Sequence, residues 1–290
     1  EQLSPLSSRP TYTETENDLT VKANKRTFIF SKKDGQLKGV SVDNRKISFA
    51  NGPRFIGARR ADRSLDQFYN HDDEKAKEKD RTYSEFPDAA VFTKLDVKED
   101  GGDLVVTANY KLGNLDKAQW TINPSGELAL DYTYNFSGVV DLMGIRFDYP
   151  EDQVISKRWL GAGPYRVWQN RIHGTQYDVW ENDYNDPIPG ETFTYPEFKG
   201  YFGDVSWMNI QTKEGTISLT NETPDTYIGV YQPRDGRDRL LYTLPESGIS
   251  VLNVIPPVRN KVNSTDLCGP SSQPKWVNGP QTGRVIFRFM

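Results

Sequence analysis

Two histidines and a scatter of carboxylates hold the acid–base capacity of this 290-residue chain. His71 lies in a run of acids and lysines from Ser64 to Glu85, and His173 follows Arg171 and Ile172 close to several aromatic residues. An imidazole titrates near neutrality, which suits proton transfer at a sugar hemiacetal. Cleavage of a glycosidic bond calls instead on two carboxylates flanking the sugar. Glu181, Asp183 and Asp186 stand close together in a Tyr- and Asn-rich stretch that resembles a surface loop, where surface solvation or turn formation is the better account of each. Gly161-Ala162-Gly163 runs directly into Pro164 and makes no phosphate loop, and the two histidines lack zinc spacing. Nothing here calls for a nucleotide or a transition metal, so no cofactor is expected. Calcium or sodium sites made of loop oxygens leave weak sequence traces, and no metal ligand is assigned.

The segment Trp159 to Trp180 has the most unusual composition. Gly161, Gly163 and Pro164 let the chain turn sharply as it leaves a strand, displaying Tyr165, Arg166, Trp168, Asn170 and Arg171 on a loop. Flat aromatic faces pack on the C–H patches of sugars, and planar Arg and Asn groups bond hydroxyls, so this mixture suits a saccharide surface. The alternative is that Trp168 and Tyr165 fill a core beneath the loop.

These residues need a scaffold, and the chain reads as strands. Thr27 to Phe30 leads through an Asp34-Gly35 turn to Leu37–Val42, the pattern of a hairpin. From Glu127 to Phe136 the alternation is strict: Leu128, Leu130, Tyr132, Tyr134 and Phe136 share one face, and Asp131, Thr133 and Asn135 the other. Residues 103–110, 215–220, 248–255 and 283–289 look similar. Ser64 to Glu85 reads as a long surface excursion between strands. Many antiparallel strands without a long amphipathic helix predict an all-β sandwich. Residues 1–17, polar and broken by Pro5 and Pro10, read as an arm or linker, and 18–290 as a single domain.

The totals narrow the function classes. A net charge of −4 carries no basic excess and argues against a nucleic-acid partner. The single cysteine, Cys268, excludes an intrachain disulfide framework. No apolar run approaches the length of a membrane span, and no signal peptide is visible. With Glu1 at its start, the chain reads as a processed or excised piece.

Several segments, in order, resemble the C-terminal domain of glycoside hydrolase family 2 β-galactosidases, the small-chain-like fifth domain. Phe30 to Leu37 is similar to the strand–turn–strand that opens that domain. Phe55 to Ser64 stands where the family has an Arg-Ala-Pro-x-Asp-Asn-Asp element, of which Asp62 is retained. Met143 to Phe147 resembles the strand before the family's Gly-x-Gly-Pro motif, and Trp159 to Pro164 matches that motif in register. Where the family continues with x-Glu-Asn-Tyr-x-Asp-Arg, this chain has Tyr165 to Arg171. Arg171 is kept, Trp168 is an aromatic exchange, and Arg166 and Asn170 replace the acids. The fold inference survives these departures, whereas galactose specificity does not follow from it.

The resemblance implies a galactose-mutarotase-like supersandwich of antiparallel strands, carried at the end of a multidomain enzyme. Its catalytic glutamates would lie on a preceding TIM barrel of the same polypeptide, leaving no catalytic residue in this chain. It also implies that a tryptophan near the C-terminus borders the active site, and Trp276 is the counterpart by place. The residues expected to face an oligo- or polysaccharide are therefore Trp276, Trp168, Tyr165, Arg171, His173 and Asp62. The setting implied is periplasmic or secreted. Two other functions compete: a free-standing aldose 1-epimerase, which needs a histidine acid and a carboxylate base, and a carbohydrate-binding or interdomain module that never meets the reacting sugar.

Overall fold

The computed structural model describes residues 8–60, 83–183, 200–230, 247–257 and 269–290. His71, Asp62, Asp186 and Cys268 lie outside them, as does most of the charged excursion. In chain order the strands are β1 (Thr11–Glu14), β2 (Asp18–Ala23), β3 (Arg26–Ser31), β4 (Leu37–Val42), β5 (Arg45–Ile47), β6 (Ala50–Arg60), β7 (Tyr83–Glu85), β8 (Val91–Asp100), β9 (Asp103–Lys111) and β10 (Leu115–Ile122). They continue as β11 (Leu128–Val140), β12 (Leu142–Asp148), β13 (Val154–Gly163), β14 (Gln176–Asp183), β15 (Phe202–Gly203), β16 (Trp207–Thr212), β17 (Gly215–Asn221), β18 (Tyr227–Val230), β19 (Ile249–Val254) and β20 (Lys275–Phe289). The helical turns among the described residues are single 3-10 turns at Glu151–Gln153 and Pro270–Ser272. No helix there is long and apolar enough to cross a membrane.

The strands form two antiparallel sheets. The first runs β1-β2-β3-β4-β6-β12-β19-β18-β15, with β5 beside β4 and β7 beside β6. The second runs β14-β13-β16-β17-β20-β11-β10-β9-β8. The chain is thus an all-β supersandwich, as its turn-separated alternating runs predict. Within the stretch read as an arm, Thr11–Glu14 adds to β2 as the outermost strand of the first sheet.

The period-two rule works where one face meets the core. In β11, Leu128, Leu130, Tyr132, Tyr134 and Phe136 are buried, while Asp131 and Thr133 are half-buried and Asn135 is exposed. Aromatic rings join the sheets: Phe49 stacks on Phe147 at 4.6 Å and meets Phe287 at 5.0 Å, and Phe30 meets Trp120 at 5.9 Å. Rings of this size bury about 150–250 Å² each and dominate the energy of such a core.

A second, smaller apolar cluster contains Ile56 and Ala58 of β6, Leu142 of β12 and Leu252 of β19, together with Val167, Trp168 and Tyr201. On β6, Phe55 belongs to the main core and its neighbour Ile56 to the second cluster. The alternation of a strand therefore places the second cluster on the outer face of the first sheet. The loop after β13 is its cover.

Candidate functional site

The loop that carries most of the expected sugar-facing residues begins at the end of β13. Gly163 is required there because a Cβ would run into the Trp180 ring of the neighbouring β14. The Gly163–Pro164 peptide is cis. Trp159 anchors the strand end, its Nε1 donating to the Ala162 carbonyl at 3.0 Å while its ring meets Phe202 edge-on at 4.8 Å. Val167 then exchanges backbone hydrogen bonds with Tyr201 at 2.7 and 2.8 Å. Trp168 and Arg171 close a tight turn, Arg171 N donating to Trp168 O at 2.8 Å.

This path corrects the picture of one displayed loop. Trp168 is only 3% exposed and packs edge-on against Tyr201 at 5.6 Å in the second apolar cluster. Arg166 is buried too, its guanidinium 5.9 Å from the Phe202 ring centre. The physical reason is the bare outer face of β6, β12 and β19, which would otherwise leave Ile56, Leu142 and Leu252 in water. Tyr165 at 50% exposure, Arg171 and His173 do reach the surface.

Trp276 is the second residue of β20, opposite Val139 of β11, and is 71% exposed. The 3-10 turn before it is tied to the loop after β13. Gln169 Nε2 donates to the carbonyls of Ser271 at 2.9 Å and Gln273 at 2.7 Å, and Asn170 Nδ2 donates to Ser272 Oγ at 3.2 Å. Gln169 N also donates to Pro256 O at 3.0 Å. One rim therefore joins Tyr165, Arg171, His173 and the Trp276 turn, with Trp168 beneath it as its anchor. Sequence reasoning missed Gln169, because a glutamine has no local signature for a partner 102 residues away.

Of the three candidate carboxylates, Asp186 and the side chain of Asp183 lie outside the described residues. Glu181 is exposed on β14, cross-strand from Arg158. Among the described residues no group of three or more His, Cys, Asp or Glu could hold a metal ion. Exposed along this rim are the rings of Tyr165 and Trp276 and the side chains of Arg171 and His173.

The sequence matches the beta galactosidase small chain family over residues 22–256. The chain belongs to that family. The small-chain match includes the loop after β13 and stops short of Trp276. No curated protein sequence matches the chain. Among solved structures it is similar to a galactose 1-epimerase from Lactobacillus acidophilus NCFM, at 10% identity, covering 98% of this chain and 99% of that one with a TM-score of 0.49. It is also similar to a galactose mutarotase-like protein from Lactobacillus casei ATCC 334, at 12% identity, covering 97% and 100% with a TM-score of 0.42. These likenesses concern the chain path and say nothing of chemistry.

Proposed function

We propose that this small-chain domain is the non-catalytic, carbohydrate-facing C-terminal domain of a glycoside hydrolase family 2, β-galactosidase-like enzyme, and that it completes the rim of the active site. The carrying observation is Trp276: a large aromatic, 71% exposed, at the start of β20 just after a turn held in place by Gln169. An exposed indole offers a flat apolar face with an N–H at its edge, the combination that packs on the C–H patches of a sugar or on a neighbouring domain. Tyr165, Arg171 and His173 share the rim and would bond or stack on the outer sugar units of an oligo- or polysaccharide. Asp62 is proposed on the family motif alone. The acid–base carboxylates would come from a preceding TIM barrel of the same polypeptide, in a periplasmic or secreted enzyme.

An epimerase reading fits less well. It needs a histidine acid near a carboxylate base, and among the described residues His173 forms no ion pair with a carboxylate.

The test is Trp276→Ala and Trp276→Phe in the full-length enzyme. The expected result is a drop in kcat/KM on a β-galactoside of about ten- to a hundredfold for Ala, largely through KM, with an unchanged melting temperature. Partial recovery in Phe would show that the ring face matters. Unchanged kinetics in both variants would overturn the rim role and leave a scaffold module.

A further inference from the structure

Four strands end the two sheets, and they differ in what they leave open. β1 and β15 are short, at 4 and 2 residues. β14 carries the exposed Asp178 and Glu181 and no cation between Gln176 and Asp183, and an edge of one charge sign repels its own copy. β8 is the longest of the four, at 10 residues, and among the described residues it pairs with β9 alone. Its other side presents backbone N–H and C=O groups to water, a template that a further strand completes.

The register with β9 sorts the side chains of β8. Leu95, Val97 and Glu99 stand opposite Ala108, Val106 and Leu104, which are buried in the main core. Leu95 and Val97 pack against that core and remain only half-buried. Lys94, Asp96, Lys98 and Asp100 therefore share the outer face. Lys94 meets Asp96 at 2.8 Å and Lys98 lies 3.9 Å from Asp100, with all four side chains more than half exposed. Pairs this exposed contribute little and exchange partners easily. The sign of charge thus alternates regularly along one face of an open edge. A register shift between Phe92 and Lys94 interrupts the strand, so its regular stretch runs from Lys94 to Asp100 and is centred on Val97.

We propose that β8 pairs with β8 of a second copy of this chain, antiparallel about a two-fold axis at Val97. In that register Lys94 stands opposite Asp100 of the second copy and Asp96 opposite its Lys98, and the two-fold repeats both contacts. Opposite charges directly across an antiparallel pair stabilise it, and like charges there destabilise it. The same rule rejects the neighbouring registers. A two-fold at Asp96 or at Lys98 sets that residue against its own copy, and a two-fold at Leu95 or Glu99 keeps only half of the opposite-charge contacts. On the inner face the two Val97 side chains meet at the axis, and Leu95 meets the stem of Glu99, covering apolar surface that one chain alone leaves half-open. The pairing does not depend on the rim or on Trp276.

The test is sedimentation velocity on the 290-residue chain over a concentration series. A reversible dimer is expected, with a dissociation constant of about 10–100 µM for so short a contact. Added salt should weaken it. Asp96→Lys places a cation opposite Lys98 of the second copy, and Lys98→Asp places a carboxylate opposite its Asp96. Each should weaken dimerisation roughly tenfold or more at an unchanged melting temperature. The double variant Asp96→Lys/Lys98→Asp exchanges the two signs and restores both contacts, so its dissociation constant should return to within about threefold of the parent's. If one single variant melts below the parent, the other decides. A parent chain that stays monomeric to about 1 mM overturns the proposal. So does a dimer that the single variants leave intact, which would use another face, and so does a loss that the double variant fails to restore.

Discussion

Gln169 and Ser271, 102 residues apart in sequence, are joined by a 2.9 Å hydrogen bond from the Gln169 amide to the Ser271 carbonyl. The same nitrogen reaches the Gln273 carbonyl at 2.7 Å. Two accepting carbonyls on one short turn meet both hydrogens of one amide group, and Gln169 is itself 6% exposed. The turn that presents Trp276 is therefore set by the loop whose aromatic anchor, Trp168, lies one residue earlier.

Removing that amide tests the coupling. Gln169→Ala strands two carbonyls and should lower stability by about 1–3 kcal/mol, measured by urea unfolding. In the full-length enzyme it should also lower kcat/KM in the same direction as Trp276→Ala but by less. The double variant should fall short of the sum of the two effects, because an unfixed turn has less to lose with its indole. Full additivity would mean that Gln169 stabilises the fold without positioning Trp276.

Trp168 is expected to matter for stability first. Trp168→Ala empties the second apolar cluster over β6, β12 and β19 and should cost about 3–5 kcal/mol in chemical unfolding. Trp168→Phe keeps the ring contact with Tyr201 and should cost less than half as much. A loss of sugar binding in Trp168→Phe at unchanged stability would instead put this ring in contact with ligand.

What could be read from the sequence follows from which constraints are local. The alternation of β11 was legible because one face meets the core along Leu128 to Phe136. The final strand was only half legible: Gly283 to Phe289 alternates, but Lys275 to Thr282 contains Gly279 and Pro280 and looks like a turn. It is a strand because Val140 to Thr133 of β11 pairs with it residue for residue, a partner no local window contains. Trp168 could not be placed for a similar reason. Its glycine-, proline- and asparagine-rich surroundings describe a loop, and only the first sheet's bare outer face explains why the ring turns inward.

A pH dependence follows from Glu127. Burial alone would push its carboxyl up, but hydrogen bonds from Arg288 and Asn123, with the Arg288 charge, outweigh that and hold it below the usual range. A carboxylate with a folded-state pKa below its unfolded value, about 4.3, contributes stability that is fully present above that value. The contribution is lost as pH falls through the lowered folded-state pKa. The gap in urea midpoint between the parent protein and Glu127→Gln should therefore be largest near neutral pH and close in acid. A gap that stays constant from neutral to acid pH would show that the side-chain shape, and not its charge, is what β11 and β20 use.

The turn between β17 and β18 supplies the last prediction, because it ties β20 to the strands beside it. Asn221 Nδ2 donates to Thr226 Oγ1 at 2.8 Å and to Val205 O at 3.2 Å, while its Oδ1 accepts from Thr223 N at 3.2 Å. One side chain thus fixes Thr223, which in turn holds the Arg284 backbone from both sides. Asn221→Ala should cost about 1–3 kcal/mol of stability from the stranded backbone groups. It should also speed amide hydrogen exchange at Thr223 and Arg284 while leaving exchange at Gln169 and Trp276 as it was, since among the described residues the two regions share no hydrogen bonds. Asn221→Asp keeps the acceptor for Thr223 N and loses the donors, so exchange at Thr223 should fall between the two. Equal acceleration at both ends of β20 would mean that the strand opens as one unit, and that the turn has no stiffness of its own.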